Sequence, residues 1–588
     1  MNMKTNILMI LASALMLWCC DDLFKPAPEN LGEFDQIYND PTFAQGLIIN
    51  AYRNLPGYYN DTDYAVDDAV TNQRSNGYLK MATGSWTSNN NPVNMWTNAY
   101  GSIQNINIFL ETIDNLTMAD DPEASELFIM RMKGEAYGLR AAYMYYLLRN
   151  HAGYTDDGQL MGVPIFNTFQ DANFDFNQPR NTFEECMVQI YKDLDEAEKL
   201  LPMAYNDIKL SDEIPEKYKS ITTRVETYNR VMGIYPRQLF NGLIAKSFRV
   251  RASLLAASPA FQHPGSTTTW ADVANNAAQV LDFNGGINLD PNGHIFYTDI
   301  KVIDNLDNGT DPKEIIWRNG ISTDNSDQEN NHFPPSLYGN GRMNPTQNLV
   351  DAFPMVNGYP ISDVNSEYNP ENPFVDRDPR FTHYIIYNGS RAGTADTEIF
   401  IDRQKNTDDA INKTDEKSTR TGYYMKKRLR MDVNRNPSAI MGKHHYTPRI
   451  RYTEIYLTYA EAANEAWGPE GNGGHSYSAY DVIKAIRQRA GINNNDSYLE
   501  ECKTNKDKMR KLIHNERRIE LCFEGFRFWD IRRWKESLTE SARGMDIDGT
   551  TYIPFIVEER LYKDYMYYGP IPYSEILKYN KLIQNKGW

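Results

Sequence analysis

The stretch "NERRIELCFEGFRFWDIRRW", residues 515–534, interleaves ionised side chains with large apolar ones. Its acids are either working carboxylates or charges absorbed by arginines, and that choice separates an enzyme from a scaffold. On a helix, Glu516 and Glu520 stand i,i+4, while Glu524 and Arg527, and Asp530 and Arg533, stand i,i+3. Arg517, Arg518 and Arg532 flank them, and Ile519, Phe523, Phe526, Trp529, Ile531 and Trp534 call for burial. A general acid needs surroundings that raise its pKa, and neighbouring guanidinium groups lower it instead. Taking one partner out of a buried pair costs about 3–5 kcal/mol, so such pairs hold a single packing arrangement. The segment is read as a structural strut, with Gly525 allowing a bend or close approach between two helical pieces.

Outward from this stretch, helical periodicity dominates. "TFEECMVQIYKDLDEAEKLLP" sets Phe183, Met187, Ile190, Tyr191, Leu194, Ala197 and Leu201 on one stripe, with Thr182 as N-cap and Pro202 as stop. "ELFIMRMKGEAYGLRAAYMYYLLRN" is a second helix, in which Gly134, Gly138, Ala141 and Ala142 admit a close neighbour. A third, "LFNGLIAKSFRVRASLLAASPAF", ends at Pro259, and "YTEIYLTYAEAANEAW" with "SAYDVIKAIRQRAG" forms a later pair closed by Gly491. Large rings facing Ala and Gly across paired helices are similar to tetratricopeptide packing. Between about 283 and 450 the helical signal disappears, Gly, Pro, Asn and Asp become dense, and β-like runs such as "EIIWRN" and "THYIIYN" appear.

The 588 residues suffice for a large core, and 41% hydrophobic with 24% charged residues is ordinary globular composition. Aromatics reach 12%, which suits ring faces used for packing or for ligands. A net charge of −17 without a segregated basic face argues against nucleic acid, since "KKRLR" at 426–430 is the most basic run. The N-terminus carries Lys4, an apolar run from Ile7 to Trp18, then Cys19 and Cys20. That run is too short to span a bilayer and fits a signal-peptide core. A cysteine directly after it is similar to a lipoprotein acceptor site, and Cys20 is the better candidate because Cys19 at −1 is smaller than Trp18. Cys186, Cys502 and Cys522 are too few for a disulfide framework, and Cys186 and Cys522 read as small core residues.

Several motifs occur in an order that resembles the SusD/RagB family of surface lipoproteins of glycan-uptake systems. They are "MWTNAYGSIQNINIFLETI", "KGEAYGLRAAYMYYLLR" followed by "GVPIF", "NPTQNLVDAFPMVNGYPI", "IKAIRQRAGI", the opening stretch itself and "YGPIPYSEILKYNKLIQNKGW". Two departures are Lys586, where the family usually has proline, and extra residues before the Gly-Val-Pro of 162–164. The resemblance implies a mainly α fold of tetratricopeptide-like helical pairs with an irregular, loop-rich, ligand-facing part. It also implies a signal peptide over 1–19 and a single domain over 20–588. That domain divides into helical repeats at about 31–282, an irregular insertion at about 283–450 and a C-terminal helical part at about 451–588. It further implies lipid anchoring at Cys20 in the outer membrane of a Gram-negative bacterium, facing outward. An oligosaccharide ligand and a SusC-like TonB-dependent transporter as partner follow, without catalysis or cofactor.

A sugar-binding face needs aromatic platforms for C–H faces and polar side chains for hydroxyls that lose water. "DYAVDDAVTNQRSNGYLKMATGSWTSNNN" offers that mixture: Trp86 is the expected platform, and Asp67, Asp68, Asn72, Arg74 and Asn89 the expected polar partners. A second candidate, "STDNSDQENNHFPPSLYGNGRMNP", supplies Tyr338 and His332, whereas Trp96, Tyr100 and Trp317 read as core. No HExxH, Walker loop or GxSxG elbow occurs, and adjacent His444 and His445 point apart on any regular element. "DNLDNGTDPKEI" has Leu306 and Ile315 at liganding positions of a calcium loop, leaving room only for incidental calcium. A peptide-binding relative of the same fold and a secreted glycoside hydrolase are the competing readings.

Overall fold

A computed structural model describes residues 40–57, 59–306, 311–492 and 496–588. Cys20 and the expected signal peptide lie outside the described residues, as does part of the calcium-like loop, residues 307–310. The frame is built from helices α1 (Pro41–Arg53), α2 (Trp96–Thr112), α3 (Pro122–His151), α4 (Phe183–Leu200), α5 (Gly242–Ala257) and α6 (Trp270–Phe283). It continues with α7 (Tyr452–Trp467), α8 (Ala479–Arg489), α9 (Lys506–Glu520) and α10 (Arg527–Arg533). Each of the first seven packs on the next, and α7 also meets α8 and α9, so neighbours in sequence are neighbours in space. The chain leaves this array after α6 and rejoins it at α7, which packs directly on α6. Residues 284–451 are therefore an excursion from one continuous helical stack.

The local causes are those expected. Thr182 Oγ1 accepts from Glu185 N–H at 3.2 Å while Glu185 accepts from Thr182 N–H at 2.8 Å, closing a capping box at the start of α4. Ser478 and Asp481 do the same for α8. Gly138 lets Phe240 lie on α3: a Cβ there would stand 2.2 Å from the ring. Trp96 and Trp317 are core, the latter edge-on to Phe240 at 5.8 Å, and Tyr100 is half-buried against Trp96. The three cysteines described are buried and free.

The excursion is not free of helix, as the residue pattern suggested. Short helices at Asp327–His332, Gln347–Ala352 and Pro379–Tyr384 punctuate it, each of six residues and too brief to show periodicity. Its strands pair two at a time, β3 (Met343–Pro345) with β1 (Ala69–Thr71) from before the excursion and β2 (Ile315–Arg318) with β4 (Pro448–Arg451), all antiparallel. A C-terminal hairpin joins β5 (Ala542–Asp548) to β6 (Thr551–Glu558). Phe353, Phe381, Tyr384 and Tyr423 form a second core that reaches Ile519, Cys522 and Phe523.

The opening stretch is the seam between the two cores. Glu516 and Glu520, both fully buried, share Arg380 at 2.9 and 3.0 Å. Glu520 also meets Arg489 at 2.6 Å, and Glu524 sits between Lys427 at 2.6 Å and Arg451 at 2.8 Å. Burial alone raises the Glu520 pKa, but Arg489, Arg380 and Arg451 outweigh it and hold the carboxyl at about 2. The strut reading holds, with a correction to its wiring. Only Asp530–Arg533 of the two expected i,i+3 pairs forms, at 2.8 Å. Arg527 turns instead to Asp67, and three partners, Arg380, Lys427 of the basic "KKRLR" run and Arg451, come from the excursion. Gly525, at φ +76°, makes the bend between α9 and α10, where a Cβ would meet the Asn60 side chain at 2.6 Å.

Candidate functional site

The two stretches singled out as ligand loops are joined. β1 of the first pairs with β3 of the second, in register Ala69 to Pro345 and Thr71 to Met343. Asn72, directly after β1, is buried and donates through Nδ2 to the Asn340 and Gly341 carbonyls at 2.9 and 3.0 Å. It reaches the Ser418 carbonyl at 3.3 Å, so one amide ties its own turn to two other loops.

Several expected ligand residues are corrected by their burial. Trp86 is 3% exposed, set edge-on to Trp588 at 4.8 Å and against Phe528 and Tyr562, with its Nε1–H donating to Asn91. A ring so enclosed is packing, not a platform. Asp67 and Asp68 are buried beneath Arg518, which donates to both at 2.8 and 2.7 Å, and Arg527 donates to Asp67 at 3.0 Å. Burial raises the Asp68 pKa, while at Asp67 the two arginines overcome burial and keep the carboxyl below its ordinary range. His332 is buried with Nε2 at 3.3 Å from Arg428, and burial, then the Arg428 charge, holds it neutral. Each of these four supports structure that the opening stretch or the excursion needs.

Arg74, Asn89 and Tyr338 do face solvent. Arg74 meets Asp415 at 2.5 Å, and its backbone N–H donates to Glu416 at 3.0 Å. Tyr338 is 53% exposed, at φ +63° on the loop whose Asn340 and Gly341 bind Asn72. Asn72 and Arg74 help line an open cleft of ≈ 1060 Å³ between residues 71–79, the loop 412–420 and Glu558. Arg420 spans its floor, donating to Glu558 at 2.8 Å and to the Thr71 carbonyl at 3.0 Å. A neighbouring recess of ≈ 740 Å³ shares Asn412 and is walled by Ile401, Ile553 and Phe555. The loop "NKTDEKSTR" at 412–420 and Glu558 were missed from sequence. The available signal was nine consecutive residues without an apolar side chain inside the irregular part.

Chemically, the cleft presents donors and acceptors in fixed pairs, an arrangement suited to vicinal hydroxyls. Two of its three acids are paired with arginine, Asp415 with Arg74 and Glu558 with Arg420 and Arg560; the third, Glu416, accepts the Arg74 backbone N–H. Among the described residues no group of three or more His, Cys, Asp or Glu is placed to hold a metal ion. Glu314, in the calcium-like loop, is committed to Arg451 at 2.8 Å.

A helical array with a loop-built polar cleft defines a mainly α superhelical scaffold. The chain belongs to the SusD/RagB family: its residues 313–588 match the model described as "SusD family", and residues 42–213 the one described as "Starch-binding associating with outer membrane". No curated protein matches it. Among solved structures, a SusD-like protein of Bacteroides fragilis NCTC 9343 is 23% identical with TM-score 0.70, the alignment covering 94% of this chain and 98% of that one. A SusD-like carbohydrate-binding protein of the same strain is 21% identical, with TM-score 0.67 and coverage of 93% and 99%. A laminarin-binding SusD-like protein is 18% identical, with TM-score 0.58 and coverage of 94% and 100%. These likenesses establish the shared fold.

Proposed function

We propose that the protein captures oligosaccharide without cleaving it, at the outer membrane, and passes it to a SusC-like TonB-dependent transporter. Family membership supports carbohydrate as the ligand class and the outer membrane as the place. The observation that carries the site is the open polar cleft of 71–79, 412–420 and Glu558, where two residues expected to bind ligand, Asn72 and Arg74, line an accessible recess. Tyr338 and Phe555 take the role assigned by sequence to Trp86. Pairing of Asp415 and Glu558 with arginines leaves Glu416 as a single cleft carboxylate without a cation among the described residues, which favours binding over hydrolysis, since hydrolysis needs a pair of carboxyl groups flanking a glycosidic bond. Lipid anchoring through Cys20 belongs to the same reading.

Calorimetry of the purified protein with laminarin and with soluble starch, alongside an assay for new reducing ends, tests this. Saturable binding without new ends is expected. Turnover of either polysaccharide would move the protein to the hydrolases, and heat released only by oligopeptides would make it a peptide receptor.

A further inference from the structure

A second cleft lies between α3, α5 and residues 517–533. Its rings include Tyr145, Tyr146, Phe526 and Trp529, and it is unusually rich in arginine for a chain of net charge −17. Three of those arginines are neutralised: Arg251 by Glu454 at 2.7 Å, Arg517 by Asp530 at 2.8 Å and Arg533 by Glu461 at 2.5 Å.

Three others have no carboxylate at ion-pair distance among the described residues. Arg149 donates only to the Asn150 amide at 3.2 Å and lies 4.1 Å from the Trp529 ring centre. Arg449 donates to the Pro56 carbonyl at 3.0 Å. Arg532 is 3% exposed, stacks on the Phe528 ring at 3.5 Å and gives Nη1 to the Phe528 carbonyl, while its Nε and Nη2 meet no hydrogen-bond acceptor among the described residues; the Trp529 Nε1–H is likewise unmet there. Burial presses the Arg532 pKa down to about 10 and lowers that of Arg449. Other buried arginines, Arg377 and Arg428 among them, leave only Nε unmet, whereas Arg532 also leaves a terminal nitrogen. Arg180 and Arg377, also buried without a carboxylate, direct their terminal nitrogens to backbone carbonyls or an Asn oxygen. A desolvated guanidinium with open donors is costly, and a planar oxyanion answers both its charge and its fork geometry.

We propose that this cleft binds a small carboxylate-bearing molecule, its carboxylate held by Arg532 and Arg149 and its body laid against Trp529 and the paired tyrosines. The site is separate from the polar cleft and does not depend on the reading given there. The carboxylate is the shared chemistry of a sugar acid and of an aromatic or aliphatic acid, so the test uses D-glucuronate, benzoate and D-glucose as probes. They are titrated into the full protein by calorimetry, with Trp fluorescence as second readout. Binding of either acid, with no heat from glucose, is expected: glucuronate alone points to a sugar acid, benzoate alone to an apolar one. Arg532→Met removes the charge while keeping an apolar stem for the surrounding rings, and should weaken the binding at least ten-fold. Arg149→Met, at a half-exposed position, should do the same and serves if the first variant does not fold. Silence from both acids, equal heat from glucose, or unchanged affinity in the folded variants would each overturn the proposal.

Discussion

Glu520 and Asp415 are both carboxylates beside arginines, yet the molecule uses them oppositely. Glu520 is wholly buried among Arg380, Arg451 and Arg489, whereas the side chains of Asp415 and its partner Arg74 remain 71% and 78% exposed. The first set joins two cores through arginines drawn from distant parts of the chain; the second lines a cleft that solvent already fills. Residue type therefore does not separate strut from site. What separates them is whether the partner is delivered by the fold into a dry interior or left at the surface, where pairing contributes little and can be exchanged for a ligand's hydroxyls.

The largest expected contrast follows. Glu520→Ala leaves three guanidinium groups facing a vacancy and should destabilise by about 3–5 kcal/mol, whereas Asp415→Ala should stay within about 0.5 kcal/mol. Urea denaturation of the two variants checks this, and near-equal midpoints would erase the distinction. The same lattice gives an acid limb. Glu520 and Glu461 are held at about 2 in the folded protein against an ordinary value of 4.5, burial being outweighed by Arg489 and Arg533 first among their partners. A depressed folded pKa contributes stability above about 4.5 that is lost as pH falls toward 2.

Trp86 is next. Sequence reasoning made it the expected platform; its place between Trp588 and Phe528 makes it packing. Trp86→Ala should lower stability by about 3–5 kcal/mol through the cavity it leaves, while polysaccharide affinity measured well below the unfolding transition stays within two-fold of wild type. A folded variant with lost affinity would return Trp86 to the site.

How much could be read in advance follows from range. The stripe and Thr182 cap of α4, and the glycines of α3, are local or nearly so, and they appear in the structure as read. Asp67 and Asp68 looked like ligand groups because the residues around them are polar, and the arginine that buries Asp68 lies 450 positions away. His332 and Trp86 failed for the same reason: their partners, Arg428 and Trp588, leave no mark in the neighbouring sequence. Asn72 and Arg74 follow a short strand at the cleft, where Arg74 stays exposed while Asn72 is buried by contacts to loops 268 and 346 positions away. The loop 412–420 went unnoticed because, without an apolar pattern, nothing in it distinguishes a cleft wall from a linker.

A smaller effect tests the edge of the strut. Asp63 accepts from the Gly525 N–H at 3.0 Å, and burial, opposed by Arg428 and aided by Asp68, lifts its pKa from 3.8 to about 7. A raised folded pKa contributes stability below about 4 that is lost as pH climbs through 7, a slope opposite to that of Glu520. Asp63→Asn keeps an acceptor for Gly525 without a charge. Its stability relative to wild type should improve between pH 5 and 8, and a parallel pair of pH profiles would mean that Asp63 is ionised throughout.

The smallest effect on the fold falls at the polar cleft. Arg420 is partly exposed and Glu558 keeps Arg560 as a second partner, so Arg420→Ala removes one of two cations and should cost about 1 kcal/mol of stability. Its cost in binding is expected to be larger in proportion. Arg420 Nη1 alone donates to both Glu558 and the Thr71 carbonyl, so the cleft loses both a donor and the alignment of an acceptor. A ten-fold loss of affinity for whichever polysaccharide binds the wild type, about 1.4 kcal/mol, is the expected reading by calorimetry. Arg420→Lys keeps the charge but not the planar guanidinium and should recover stability more fully than affinity. If lysine restores both equally, the cleft senses charge alone, and the contrast with the buried lattice narrows to depth rather than geometry.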